Sequence, residues 1–471
     1  MPRHLTPDLC VIGAGAGGLA VAAAAAQLGA AVVLVERGAM GGDCLNFGCV
    51  PSKSLLAASR IADLQRRAPR FGIAYAAPKV DFAAVGDSVA QVVARLAPND
   101  SVERFETLGV TVLRAEARFT SARTVQAGDV EIRPRRFVIA TGSHPAVPQI
   151  PGLDRVPYLT NETVFANRDL PEQLIVIGGG PIGIEMAQAH RRLGARVTVL
   201  DLGPLLPRDD PELAALLGGR LADEGIVLRP RVRVVSAEPE NRGVAVALEG
   251  GERIAGSHLL VAAGRRPSVE ALDLAAAGIA AGPEGITVDA RLRTTNRRAF
   301  AVGDVAGGPQ FTHVALYHAG IVIRNALFRI PARVDYRALP WVTYTEPELA
   351  QVGATEAAAL ETGGPVRVLR WSFAENDRAQ TERDSEGRVK VVVRRDGHIL
   401  GASILGAGAG DLITPWALAI SQKLKISALA NLVVPYPTRS EAGKRAAGSF
   451  YTPALFSQRT RRIVGFLARF G

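Results

Sequence analysis

The sequence predicts an α/β fold in which one strand–turn–helix–strand unit occurs twice, followed by a smaller α+β domain. Three observations carry this. A short apolar run, Leu9-Cys10-Val11-Ile12, ends in the glycine turn Gly13-Ala14-Gly15-Ala16-Gly17-Gly18. The pattern returns as Leu174-Ile175-Val176-Ile177 with Gly178, Gly180 and Gly183, at a constant offset of 165 residues. From Leu339 to about Phe450 the pattern changes to longer alternating runs, Arg388 to Arg394 and Ile399 to Leu405.

In the first unit, Leu9 to Ile12 reads as a buried parallel strand. An Ala-rich helix follows to Leu28, and a second strand, Ala31 to Val35, ends at Glu36. Val11 to Val35 carries no charge and is long enough to cross a bilayer. Its five glycines and β-branched ends favour the strand–turn–helix–strand reading. In that context Gly13, Gly15 and Gly18 permit a tight turn and close backbone approach to a pyrophosphate. The helix N-terminus offers free N–H groups to the phosphates. Glu36 is placed to accept from a ribose hydroxyl.

Between the units, Gly41-Gly42-Asp43-Cys44-Leu45-Asn46-Phe47-Gly48-Cys49-Val50-Pro51-Ser52-Lys53 holds two of the chain's three cysteines. Thiols this close can open and close a disulfide. Pro51 suits a first helical turn, so the pair is expected to open a helix whose N-terminus favours a thiolate. Helix is expected from Ser52 to about Arg67 and from about Phe82 to Leu108. Phe137 to Gly142 and Leu259 to Gly264 read as buried strands ending in glycine, with Thr141, Gly142 and Gly264 near a cofactor. Ala301-Val302-Gly303-Asp304 puts another acid at a strand end, where Asp304 can hold a ribityl hydroxyl.

In the second unit Asp201 takes the place of Glu36. Two such Rossmann-like units imply two nucleotides, most simply a bound flavin, FAD, and a diffusible nicotinamide. An acid at 201 repels a 2′-phosphate, which favours NAD over NADP. Cys10, inside a strand, reads as a small hydrophobe.

The chain of 471 residues has a net charge of +10. Its basic residues are scattered, which argues against a nucleic-acid surface. Three cysteines are too few for a disulfide framework, and no secretory pattern is visible, so a cytoplasmic protein is expected. No metal site is expected. The segment Gln458 to Phe470 is basic, and as a helix it aligns Ile463, Phe466, Leu467 and Phe470. Docking on its own dimer is the favoured reading, with a membrane surface or a partner groove as the alternative.

The thiol stretch, the two glycine turns and Ala301 to Asp304 together resemble the class I pyridine nucleotide–disulfide oxidoreductases, over Leu9 to about Tyr451. That family includes dihydrolipoamide dehydrogenase, glutathione reductase and mercuric reductase. The resemblance implies a FAD-binding domain over 1–148 and an NAD(P)-binding domain over 149–267. It also implies a return to the FAD domain over 268–337 and a dimerisation domain over 338–454, with a basic tail over 455–471 lying beyond the match. It implies a homodimer whose C-terminal domain completes the partner's active site. Cys49 then faces the flavin and Cys44 the substrate, while Lys53 pairs with Glu185 beside the flavin. Ala117, Thr312 and His313 run next to the cofactor, although for His313 a satisfied buried side chain is favoured.

Thiol-reducing relatives carry a His-Pro-x-x-x-Glu motif. Here Tyr436 replaces the histidine and Glu441 is kept. A phenol with a pKa of about 10 is a poor base at pH 7, which argues against lipoamide and glutathione as substrates. Tyr436 is similar to the mercuric-reductase branch, but no cysteine follows Cys49. The expected enzyme passes electrons from NADH through flavin to Cys44–Cys49 and on to a small acceptor. The rivals are a flavin-direct diaphorase or quinone or metal-ion reductase, and a flavin-containing redox sensor.

Overall fold

A computed structural model describes residues 3–241, 243–361 and 364–470. Its first sheet is parallel, in the order Ala299–Ala301, Arg136–Ile139, Leu9–Ile12, Val32–Glu36, Val110–Arg114. Strands buried on both faces need apolar side chains throughout, and all four residues of Leu9–Ile12 are buried. The helix Ala16–Gln27 follows the first glycine turn. The Val11–Val35 stretch is therefore strand, turn, helix and strand. Among the described residues no helix is long and apolar enough to cross a membrane.

The second parallel sheet runs Ile226–Arg229, Arg196–Leu200, Gln173–Ile177, His258–Val261. The helix Pro181–Leu193 leaves its glycine turn, with a proline in the first turn where no N–H is needed. Two short strands join the sheets: Ser143–Pro145 pairs antiparallel with Arg265–Pro267. This places Gly142 and Gly264 at opposite ends of the short ladder, where Ser268 N–H donates to Gly142 O and Ala146 N–H to Gly264 O. The third layer is an antiparallel sheet of five strands between Pro340 and Gly406. More than the two expected helices pack with it, among them Thr414–Ser421 and Ser440–Gly448.

Two expected helices differ from the structure. The Phe82–Leu108 stretch is broken into Phe82–Leu96, a tight turn at Ala97–Asp100 and Val102–Thr107. Pro98 cannot continue the first helix, and the Ser101 hydroxyl caps the next by accepting from Arg104 N–H. The two cysteines also do not share one helix. Cys44 lies in the short helix Gly42–Asn46, and Cys49 opens Cys49–Arg67. A Cβ at Gly48, between them, would lie 2.9 Å from Asp43 Oδ2.

Buried ion clusters bind the layers. Arg192 donates to Glu224 at 2.8 and 2.9 Å and to Glu346 at 2.6 Å, with Asp63 3.5 Å away. It thereby links the helices Pro181–Leu193 and Cys49–Arg67 to the third layer, and its side chain is 3% exposed. Arg192→Leu leaves these carboxylates without their central cation. The expected loss is about 3–5 kcal/mol, read as a lower urea midpoint. A loss below about 1 kcal/mol would show that the cluster contributes little.

Candidate active site

The two glycine turns are the same object twice. Gly13 and Gly178 sit at φ +105° and +121°, and an added Cβ would lie 2.4 and 2.2 Å from the carbonyl oxygens of Ala140 and Ala262. At Gly18 and Gly183 it would lie 1.9 Å from the carbonyls of Gly13 and Gly178. Packing within the protein therefore demands these four glycines. Gly15 and Gly180 are different. A Cβ there would meet nothing closer than 3.9 Å at Gly15, and nothing within 4 Å at Gly180. These two open onto the cavity, where a ligand backbone can approach.

The paired acids are held alike. Glu36 accepts from the N–H groups of Ala14 and Gly38, both at 2.6 Å. Asp201 accepts from Gly179 at 2.5 Å and Gly203 at 2.6 Å. Both carboxylates are thus oriented at the strand ends with lone pairs left for ribose hydroxyls. The residues present fit two dinucleotides, FAD at the first turn and a nicotinamide nucleotide at the second.

One cavity of about 1680 Å³ runs between these turns and over the thiols. Its lining includes Gly13, Gly15, Glu36, Ala117, Thr141, Gly142, Gly178, Gly180, Asp201, Gly264, Asp304, Thr312 and His313, together with both cysteines, Lys53 and Glu185. Cys44 and Cys49 are free thiols, and Cys49 is open to the cavity. The Cys49 thiol is held down at about 6. A hydrogen bond from the Cys44 thiol is the largest cause; the Thr312 hydroxyl and the Lys53 ammonium add to it, against the effect of burial. Thr312 Oγ1 lies 3.4 Å from Cys49 Sγ. Cys44 is pushed up, first by its bond to Cys49 and then by burial. The pair therefore holds one proton on Cys44 and a thiolate on Cys49 across neutral pH. Cys10 is fully buried, and its thiol is pushed up to about 12 by burial.

The Cys49 thiolate is present above about pH 6 and is lost as pH falls through that value. Alkylation of Cys49 in the reduced protein, followed by mass spectrometry, is expected to rise through an inflection near pH 6. Thr312→Val removes a donor to the thiolate and shifts the inflection upward. An inflection at an ordinary thiol value of about 8.5 in both proteins would contradict the assignment.

Lys53 Nζ donates to Glu185 Oε2 at 2.9 Å, the pairing implied by the resemblance. Glu185 Oε1 accepts from Tyr344 N–H at 2.9 Å, and Lys53 lies 4.4 Å from the centre of the Tyr344 ring. Tyr344 was not legible as a site residue, because it arrives from the third layer. Arg265 was likewise not legible as a site residue. It bonds Ser143, pairs with Asp43 at 3.2 Å and lies 3.8 Å from Asp304. It thus ties the residue before Cys44 to the Asp304 loop, and Asn161 adds a bond to Asp43.

Asp304 lines the cavity, but Ser143 already donates to its Oδ2 at 2.6 Å. His318 accepts from Gly303 N–H and bonds the Tyr336 hydroxyl, fixing the same loop. His313 is satisfied, as favoured, but it is not buried. It is exposed at the cavity and donates through Nε2 to Pro340 O at 2.8 Å. Thr141 donates to Ser268 O at 2.7 Å.

Tyr436 and Glu441 do not join this cluster within one chain. Tyr436 is 71% exposed and lies outside the cavity lining. Its hydroxyl donates to Asp377 Oδ2 at 2.9 Å, so Asp377 rather than Glu441 orients it. That bond pushes the phenol above its ordinary value, further from use as a base.

This arrangement of two nucleotide sites around a dithiol defines a flavin- and nicotinamide-dependent disulfide oxidoreductase. Residues 7–319 match the pyridine nucleotide-disulphide oxidoreductase family, and residues 339–447 match that family's dimerisation domain. The chain belongs to this family and is a flavin-dependent oxidoreductase that uses FAD and a nicotinamide nucleotide. It is 38% identical to a mercuric reductase of Streptomyces lividans, over 96% of this chain and 97% of that one. It is 36% identical to a dihydrolipoyl dehydrogenase of Geobacillus stearothermophilus, over 93% and 95%. Among solved structures it is similar to the Cu(II) complex of the HOCl-induced flavoprotein disulfide reductase RclA of Escherichia coli. The TM-score there is 0.85 with 29% identity, covering 93% of this chain and 98% of that one.

Proposed function

We propose that this protein is a homodimeric NADH oxidoreductase that delivers electrons through Cys44 and Cys49 to a small acceptor needing no histidine base. The observation that carries the reading is the placement of the pair: Cys44 and Cys49 line the cavity between the two glycine turns, with the Thr312 hydroxyl 3.4 Å from Cys49 Sγ and the Lys53–Glu185 pair beside them, surroundings that hold the Cys49 thiol down. When bound, FAD supplies hydride acceptance from the nicotinamide and two-electron delivery to the disulfide. Opening the Cys44–Cys49 bond with two electrons and one proton gives one thiol and one thiolate. That is the protonation state the surroundings favour. Lys53 and the Thr312 hydroxyl stabilise the negative sulfur, and Glu185 holds Lys53 in place. Cys44 is then the thiol that meets the acceptor. Asp201 supports NADH over NADPH: its carboxylate is fixed at the strand end by bonds from Gly179 and Gly203 N–H and lines the cavity, where an acid disfavours a 2′-phosphate.

The second protomer supplies Tyr436. Its exposure, with Val433 at 88% beside it, fits a face that the dimer covers. The phenol O–H donates to Asp377, which leaves the oxygen's lone pairs free on an exposed side chain. Such a group can contact a soft metal cation but cannot shuttle protons for a thiol substrate. The likeness to mercuric reductases supports the same class of acceptor. The test is NADH oxidation by the purified holoprotein against lipoamide, glutathione disulfide, a quinone and mercuric ion. Mercuric ion is expected to turn over fastest, with Tyr436→Phe slowing it. Fastest turnover of lipoamide or glutathione disulfide would overturn the reading of Tyr436.

A further inference from the structure

We propose that segment 455–470 seats the enzyme on an anionic lipid bilayer surface. The helix Gln458–Leu467 is capped by Ser457, whose hydroxyl accepts from Thr460 N–H. Its turns continue through Arg469 N–H to Phe466 O and Phe470 N–H to Leu467 O. A helix this short is marginal in water without a surface to pack on. Among the described residues of its own chain none provides one, since every residue from 461 to 470 is exposed.

Ile463, Phe466, Leu467 and Phe470 share one face, and they are 48%, 57%, 58% and 74% exposed. Phe466 and Phe470 meet edge to face at 5.1 Å, and Leu455 and Phe456 extend the apolar surface at 57% and 67% exposure. By helical spacing Arg462 and Arg469 border one edge of this face, Arg459 lies in line with it one turn before Ile463, Arg461 lies on the far side, and the segment holds no acidic residue. Long arginine stems can lie along the apolar boundary with their charge at the headgroups. An apolar stripe bordered by arginine fits a bilayer interface rich in anionic headgroups. A second copy of the chain is a weaker match, because it brings the same net charge of +10.

The experiment is flotation of the full-length holoprotein with phosphatidylglycerol-rich vesicles and with phosphatidylcholine vesicles, at low and at raised salt. Binding is expected to the anionic vesicles alone, weakening with salt. The combined variant Arg459→Glu, Arg461→Glu, Arg462→Glu is expected to lose at least about ten-fold in partitioning. Phe466→Ser with Phe470→Ser should lose a comparable amount. Both variants should keep NADH oxidation in solution, because the segment lies outside the cavity. Absent binding, or equal partitioning of the charge-reversed protein, overturns the proposal. So does conversion of the dimer to a monomer by the Phe466→Ser, Phe470→Ser pair, which would make the segment a dimer contact.

Discussion

Cys44→Ser is expected to lower NADH-dependent reduction of the preferred acceptor by about a thousand-fold or more, the scale seen when a reacting nucleophile is removed. A serine hydroxyl cannot close a disulfide with Cys49 and is not ionised at neutral pH. The structure makes the loss selective. Cys44 Sγ contributes the largest hydrogen bond to the Cys49 thiolate, and a serine hydroxyl can still donate there. Cys49 therefore keeps a low pKa, and the flavin absorbance should still respond to a single addition of NADH. Stopped-flow absorbance for the first turnover and steady-state rates for the rest separate the two effects. If the variant keeps more than about a tenth of the rate, electrons leave directly from the flavin and the diaphorase reading takes over.

Gly18→Ala is expected to yield protein that folds poorly and purifies without flavin. The new Cβ would lie 1.9 Å from the Gly13 carbonyl oxygen and 3.2 Å from the Ala140 Cβ. Neither atom is the end of a flexible side chain, so the Ala16–Gln27 helix has to withdraw from its strand. Overpacking of this kind costs about 1–3 kcal/mol or more, and the phosphate-binding N–H groups move with the helix. Gly183→Ala meets the same 1.9 Å contact at Gly178. It should spare the flavin while raising the KM for NADH. Gly15→Ala is the informative contrast. Its Cβ meets no protein atom closer than 3.9 Å, so it should fold normally and lose only cofactor affinity. Thermal unfolding and flavin content, measured on all three, check the distinction. Equal destabilisation by Gly15→Ala and Gly18→Ala would contradict it.

The nucleotide sites were legible because they are local. Strand, glycines, helix and acid lie within one short stretch, and their repetition at an offset of 165 makes chance agreement negligible. The thiol pair was legible for the same reason. What escaped was assembled across the chain. Arg265 reaches Asp43 and Asp304 from a strand of the domain junction, and Tyr344 reaches Glu185 from 159 residues away. Asp377, which holds the Tyr436 hydroxyl, lies 59 residues from it. No periodicity or spacing reports such contacts. The break at Pro98 and Ser101 is different. Both residues were visible, and the apolar run of Val92 and Val93 concealed a helix stop that their chemistry predicts.

The central claim is that NADH opens a bond between Cys44 and Cys49. Counting thiols tests it most directly. The holoprotein is unfolded and alkylated under anaerobic conditions before and after one equivalent of NADH, and the labels are placed by mass spectrometry. The expected count rises from one thiol, Cys10, to all three cysteines of the chain. A count that stays at three throughout, or at one while NADH is consumed, would contradict the account.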